Sequence, residues 1–260
     1  MNIFVQNKSI FKYLTHFFII ILCSFFINFY YASIGAFPID TFLHYDSAYR
    51  ILNKEYPIRD FWVVSGFTID FFQAFFFKVF GVNWFSYTLH SSLFNCLIGV
   101  MAYNFFLGLK INGSKSLFYT LCLVTLAYTI SGTPFVDQHA VFFLLITTFL
   151  ILSFVSNPKK NYLLNIAILT FFLSFLSKQV PSVYAFIFFA PIMIYYFIKT
   201  KNLKIIKSIL FYSLIFILIF YFVLLSLQID LKLFFDEYIN FPRSIGAKRF
   251  NILDYSLVSF

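Results

Sequence analysis

The alternation of long apolar segments with short polar breaks constrains this chain more than any other feature. It continues along almost all of the 260 residues. A helix that crosses the hydrocarbon core of a bilayer needs about 20 mostly apolar residues. We therefore predict an all-α integral membrane fold, a single domain over residues 1–260 with about seven transmembrane helices. The predicted spans are residues 14–37, 84–109, 117–130, 140–155, 162–176, 183–198 and 205–227.

Composition excludes several other classes of protein. Charged residues make up 11% of the chain, whereas a soluble domain carries about 25%. The three cysteines lie singly inside apolar segments, so neither a disulfide framework nor a cysteine metal cluster is indicated. The chain contains no Walker, GxGxxG, HExxH or GxSxG motif, which gives no support to nucleotide, dinucleotide or zinc-protease chemistry.

The placement of the charges predicts an orientation. With a cytoplasmic N-terminus and seven spans, the inner segments contain ten lysines and neither an acidic residue nor an arginine. The outer segments contain all ten acidic residues and all four arginines. This asymmetry follows the positive-inside rule, so we expect a multi-pass membrane protein with a cytoplasmic N-terminus. It also explains the net charge of +9 without a nucleic-acid partner.

The longest polar break, residues 38–83, is predicted to be the first external loop. Its second half, residues 61–80, is largely apolar but contains Asp70, Gln73 and Lys78, which fall on one face of a helix. This pattern favours an amphipathic helix lying at the membrane interface. An additional span here would move every later loop to the other side and place the lysine pairs outside.

Acidic residues of the external loops are the candidates for catalysis. Polar groups at a bilayer are costly and are often functional. Carboxylates from the first and second external loops that meet at one membrane face could act as a general base or hold a divalent metal. The alternative is that each acid is simply solvated. The catalytic candidates are Asp46, Asp70 and Asp137, and the candidate metal ligands are the same three residues with His139.

The external cations suggest a phosphate-binding role. Arginine suits bidentate phosphate binding, while lysine acts as a point charge. Every arginine is predicted to be external, and Lys178 begins a tight turn at the external surface. Non-specific attraction of lipid head groups is the alternative. The candidate substrate- and phosphate-binding residues are Tyr49, Arg59, Asp60, Lys178, Gln179 and Arg243.

Parts of the first external loop carry a family pattern. They are Asp46-Ser47-Ala48-Tyr49, Tyr56-Pro57-Ile58-Arg59-Asp60 and the stretch from Gly66 to Gly81. Together with the Lys178-Gln179 turn, they resemble the GT-C superfamily of polytopic glycosyltransferases. The bacterial branch with protein O-mannosyltransferase-like and lipid A aminoarabinose transferase-like enzymes is the most similar.

The resemblance implies a sugar donor on a polyprenyl phosphate or diphosphate and a glycan, lipid or protein acceptor. It implies that Asp46 is the base or a metal ligand, with Asp70 or Asp137 as a second acid. The chain departs from the pattern at Ser47, where the family often has another acid, and at Gly66-Phe67-Thr68, where a proline-rich element is common. It also ends soon after the seventh predicted span, so we expect a truncated or minimal version of the family.

Two other functions stay open at this point. One is a transporter or flippase of a lipid-linked glycan, although the sequence shows neither the inverted repeats nor the broken midplane helices typical of transporters. The other is a non-catalytic membrane assembly subunit, which the short C-terminal segment would suit.

Overall fold

The computed structural model describes residues 2–35, 40–63, 65–127 and 132–246, and it confirms the all-α class. No β-strand occurs within these ranges. The described chain ends in a short π-helical turn, Asp236–Asn240, and a further helical turn over residues 241–246. The α-helices are α1 Asn2–Ile34, α2 Thr41–Leu52, α3 Thr68–Phe80, α4 Trp84–Gly108, α5 Gly113–Leu126, α6 Val136–Ser156, α7 Asn161–Ser177, α8 Gln179–Thr200, α9 Leu203–Ser226 and α10 Leu231–Phe235.

Five helices are long and apolar enough to cross a membrane: α1 over Ile10–Ile34, α4, α6, α8 and α9. This is the pattern of a multi-pass membrane protein. Helix α7 is apolar, but its 17 residues reach only about 26 Å. Helix α5 has 14 residues, and residues 128–130 of the predicted third span lie outside the described residues. The predicted count of seven spans is therefore not confirmed, although a helix lies at each predicted position.

Helices α1 and α4 run in opposite directions. Near the start of α1, His16 Nδ1 lies 2.9 Å from Tyr103 OH, close to the end of α4. Near the end of α1, the carbonyl of Ala32 accepts a 3.1 Å hydrogen bond from Trp84 Nε1, at the start of α4. The bundle therefore has two distinct ends. We call them the loop end, which contains α2 and α3, and the lysine end, which contains the α4–α5, α6–α7 and α8–α9 turns.

Small and polar residues let α1, α4 and α5 approach closely. Asn95 Nδ2 donates to the backbone carbonyls of Ser24 at 2.9 Å and Val124 at 3.0 Å, and so joins all three helices. A Cβ at Gly99 would lie 2.8 Å from the Val124 side chain. Such contacts are typical of helix packing in membranes, where interfaces between helices gain little from the hydrophobic effect.

A glycine fixes the segment between α2 and α3 against the α7–α8 junction. The amide of Gly66 donates a 2.9 Å hydrogen bond to the carbonyl of Ser177. A Cβ at Gly66 would lie 1.9 Å from the carbonyl oxygen of Leu176. Only glycine permits this approach between two backbones. The contact brings the residues before α3 beside Lys178.

Helix α3 is oriented in the opposite sense to the prediction. The helix is present, but it begins at Thr68 rather than near residue 61. Asp70 and Gln73 are completely buried, while Phe75 is 60% and Val79 is 55% exposed. An interfacial amphipathic helix would turn its polar face towards water, whereas Asp70 and Gln73 lie inside the protein. Their polar groups find partners inside the bundle, and the phenylalanine side is left to the apolar surroundings.

Candidate functional site

The four residues predicted to share a metal lie in separate environments. Asp46 is exposed on α2, Asp70 is buried on α3, Asp137 forms an ion pair, and His139 is buried in α6. No group of three or more His, Cys, Asp or Glu side chains among the described residues is arranged to hold a metal ion. The predicted set therefore does not fit a bound divalent metal, and no metal enters the proposal below.

Asp70 pairs with a histidine from the preceding helix. Its Oδ1 lies 2.7 Å from His44 Nδ1, and both side chains are at most 1% exposed. Burial raises the pKa of the Asp70 carboxyl, while the neighbouring His44 acts in the opposite direction. Asp70 Oδ2 and His44 Nε2 have no hydrogen-bond partner within the described part of the chain. Because this carboxylate has no exposed surface, it is poorly placed to act on a bulky acceptor.

The His44–Asp70 pair is part of a larger buried polar group. Gln73, on the same face of α3 as Asp70, has its Oε1 2.9 Å from His90 Nδ1. The His90 ring centroid lies 4.9 Å from that of His139. All these side chains are at most 1% exposed. We call this group the buried histidine cluster: His44, Asp70, Gln73, His90 and His139.

The sequence predictions missed most of the buried histidine cluster. His90 is not among the candidate residues, and Gln73 is predicted only as part of the polar face of an interfacial helix. The signal that was present in the sequence is the three-residue spacing of Asp70 and Gln73, which places both on one helix face. Their histidine partners come from α2 and α4, and no local pattern joins them.

Asp46 is the most accessible acid of the predicted set. It lines a shallow pocket of about 440 Å³ with Tyr49 and three other residues. Its carboxylate makes no hydrogen bond and no ion pair with any described side chain or backbone group, and it is exposed. Tyr49 is also half exposed. An accessible, unpaired carboxylate beside a phenol is suited to accept a proton from a bound hydroxyl.

Asp137 is predicted to be a catalytic acid and Lys178 a phosphate ligand. In the structure, the two side chains form an ion pair. Lys178 Nζ donates to Asp137 Oδ1, and the two side chains stay 31% and 47% exposed. Next to this pair, Gln179 Nε2 donates a 2.7 Å hydrogen bond to the carbonyl of Tyr238. The pair therefore joins the start of α6 to the α7–α8 junction, and Gln179 joins that junction to the C-terminal segment.

Arg59 and Asp60 fasten the segment between α2 and α3 to the end of α9. Arg59 Nη2 lies 2.6 Å from Asp60 Oδ2, and its Nη1 donates a 3.0 Å hydrogen bond to the carbonyl of Leu227. The Arg59 guanidinium lowers the pKa of the Asp60 carboxyl. Among the predicted phosphate ligands, Arg59 is thus already engaged, whereas Arg243 is exposed and has no ion-pair partner among the described residues.

An apolar groove opens sideways between α3, α4, α7 and α9. Its volume is about 760 Å³. Leu176 lines it on α7, two residues before Lys178, so one end of the groove approaches the Lys178–Asp137 pair. The sequence did not indicate this feature, because phenylalanines occur on all sides of the apolar helices. We call it the phenylalanine groove, after Phe67, Phe72, Phe76, Phe172, Phe216 and Phe220.

Comparisons with known protein families, curated proteins and solved structures find no match. The GT-C resemblance therefore stays a prediction from the segments quoted above. The proposal for the function therefore rests on the geometry of the loop end.

The loop end combines three features that bear on chemistry. An exposed carboxylate lies on α2, an exposed ion pair lies at the α7–α8 junction, and an apolar groove approaches that ion pair from the side. A lysine that holds a carboxylate can exchange it for another anion, because the pair is accessible to solvent and weakly bound. This combination suits a substrate with a long apolar chain and an anionic head.

Proposed function

We propose that the protein is a membrane glycosyltransferase. It moves a sugar from a polyprenyl phosphate or diphosphate to a glycan, lipid or protein acceptor at the extracytoplasmic face of a bacterial inner membrane. The observation that carries this proposal is the phenylalanine groove, whose α7 wall ends two residues before Lys178. The predicted orientation, with the N-terminus in the cytoplasm, belongs to the same proposal.

The groove would hold the first part of the polyprenyl chain. It opens to the surface beside Phe75, which is 60% exposed, so a lipid can enter from the bilayer. A chain that moves from the bilayer into the groove exchanges one apolar environment for another, so the hydrophobic effect contributes little. Selection of the donor therefore depends on its phosphate head.

Lys178 is the proposed ligand of that phosphate. A donor whose chain lies in the groove brings its phosphate towards the α7–α8 junction, where Lys178 can exchange Asp137 for the phosphate oxygens. Arg243, exposed in the C-terminal segment, supplies a candidate second cation. Gln179 holds the junction by its hydrogen bond to Tyr238 and is assigned a positioning role.

In the transfer step, an acceptor hydroxyl oxygen bonds to the anomeric carbon of the sugar. The bond between that carbon and the phosphate oxygen breaks, and its electron pair leaves with the polyprenyl phosphate. The hydroxyl proton passes to a carboxylate. Asp46 is the proposed base because it is exposed and unpaired within the described residues, while Asp137 is the alternative because phosphate binding would release it from Lys178.

A transfer assay with labelled polyprenyl-phosphate sugars in membranes tests the proposal. We expect Asp46→Asn to lose about 10²–10⁴-fold in rate, the usual range for a general base. Glu55→Gln is the matched control, because it removes one exposed carboxylate from the same loop. Full activity of Asp46→Asn with loss in Asp137→Asn would transfer the role to Asp137. Movement of the lipid-linked sugar across the bilayer without transfer would instead support a flippase.

A further inference from the structure

A second pocket lies at the lysine end, opposite the proposed active site. It has a volume of about 660 Å³ and is enclosed by the ends of α4 and α6 and the start of α7. Its lining includes the Phe105 and Phe149 rings, which are stacked at 4.7 Å. It also includes polar side chains, among them Ser153 and Asn157. We call it the lysine-end pocket.

Two cations line this pocket and are not neutralised. Lys110 follows α4 and Lys160 precedes α7, and both are exposed. Neither forms an ion pair with a described residue. The pocket lining contains no acidic residue. Two positive charges at one concave surface attract anions, and the first turn of α7 adds partial positive charge nearby.

Hydrogen-bonding groups are also available in the pocket. Ser156 donates to the carbonyl of Leu152 at 2.9 Å and is satisfied locally. The Ser153 hydroxyl and the Asn157 amide have no side-chain hydrogen bond within the described part of the chain, and both line the pocket. A phosphate group has oxygens that can accept from both of them and from the two lysines.

We propose that the lysine-end pocket binds an anionic phospholipid. The phosphate head pairs with Lys110 and Lys160, and an acyl chain lies along Phe105 and Phe149. A lipid uses both the apolar and the polar side chains of the lining, whereas a free phosphate ion would use only the polar ones. Basic pockets between membrane helices are suited to such head groups. This site is independent of the proposed glycosyltransferase activity.

Lipid retention by the purified full-length protein tests the inference. Native mass spectrometry would measure bound phosphatidylglycerol in mixed micelles with phosphatidylcholine. Each lysine near a head group contributes about fivefold in binding, so Lys110→Gln/Lys160→Gln should weaken retention by about 10- to 30-fold. The matched control is Lys199→Gln/Lys201→Gln, which removes the same charge at the same end of the bundle but outside the pocket. We expect it to retain the lipid as the wild type does.

A second variant tests the pocket without a change of charge. Ser153→Leu places a larger apolar side chain in the pocket and removes a hydroxyl from its lining, and we expect it to lose retention to a similar degree. Unfolding temperatures in phosphatidylcholine alone confirm that each variant is folded, and Ser153→Ala replaces Ser153→Leu if the latter is not. Equal loss in both double variants would overturn the proposal in favour of non-specific surface charge. Displacement of the lipid by an equal concentration of inorganic phosphate would overturn it in favour of a free-anion site.

Discussion

The two ends of the bundle use charge in opposite ways. At the loop end, the described residues form three ion pairs, Arg50–Glu55, Arg59–Asp60 and Lys178–Asp137, and the buried hydrogen-bonded pair His44–Asp70. At the lysine end, none of the described lysines has an acidic partner. Paired charges hold polypeptide segments in fixed positions, whereas unpaired lysines attract anions and membrane surfaces. The loop end is therefore organised for a defined geometry, and the lysine end for electrostatic attraction.

The largest effect on stability is expected from the buried pair of the loop end. Asp70→Ala leaves His44 Nδ1 without its partner inside the bundle. A buried polar group left unsatisfied costs about 1–3 kcal/mol, and more if it is charged, and the cavity left by the truncation adds to this. Chemical unfolding in detergent would measure the change. Lys199→Gln at the lysine end is the comparison, with an expected change near zero. A loss below about 1 kcal/mol in Asp70→Ala would show that the buried pair does not hold the loop end together.

The next effect concerns the backbone contact at Gly66. A methyl group there would overlap the Leu176 carbonyl at 1.9 Å, so Gly66→Ala should destabilise the protein by about 2–3 kcal/mol. Gly246→Ala is the control, because a Cβ at Gly246 meets nothing within 4 Å. Equal melting temperatures for the two variants would contradict the close approach of the loop to α7.

The substitution Lys178→Gln should weaken donor binding while it changes the free energy of unfolding only slightly. Because the Lys178–Asp137 pair is partly exposed, Lys178→Gln should cost less than about 1 kcal/mol of stability. If the lysine binds the donor phosphate, KM for the donor rises by about fivefold. Steady-state transfer kinetics with Lys199→Gln as control would measure this. An unchanged KM would remove Lys178 from the proposed binding site, whatever the activity of the Asp46 variant.

The smallest effect is the pH dependence of the Arg59–Asp60 pair. Arg59 lowers the pKa of Asp60 below its ordinary value of 3.8. The stabilising contribution is therefore complete above pH 3.8 and is lost as pH falls through the lower pKa of the folded state. The stability difference between wild type and Asp60→Asn should shrink between about pH 5 and about pH 2. A difference that is constant over this range would show that the ion pair does not stabilise the loop.

Much of the helical framework could be predicted from the sequence. Helix α4 begins at Trp84 as predicted and ends one residue before the predicted limit. Its start is marked locally, since the Asn83 side chain accepts a hydrogen bond from the amide of Ser86. Apolar length and capping residues are local properties, and so are the lysine-bearing turns.

The arrangement around the candidate site could not be predicted in the same way. Periodicity placed Asp70 and Gln73 on one face of α3, but it does not tell on which side of the helix the rest of the protein lies. The pairing of Asp137 with Lys178 joins residues separated by 41 positions. Asp46 is accessible because it lies on the exposed side of α2, which agrees with its selection as a candidate. Its role in catalysis stays a prediction.

The inverted orientation of α3 has a consequence for biosynthesis. Asp70 and Gln73 leave the ribosome before His90 and long before His139, the residues that complete the buried histidine cluster. Until α4 and α6 have been made and inserted, the polar side of α3 has no interior to enter. The polar side of α3 therefore becomes buried only after the insertion of helices that follow it by dozens of residues.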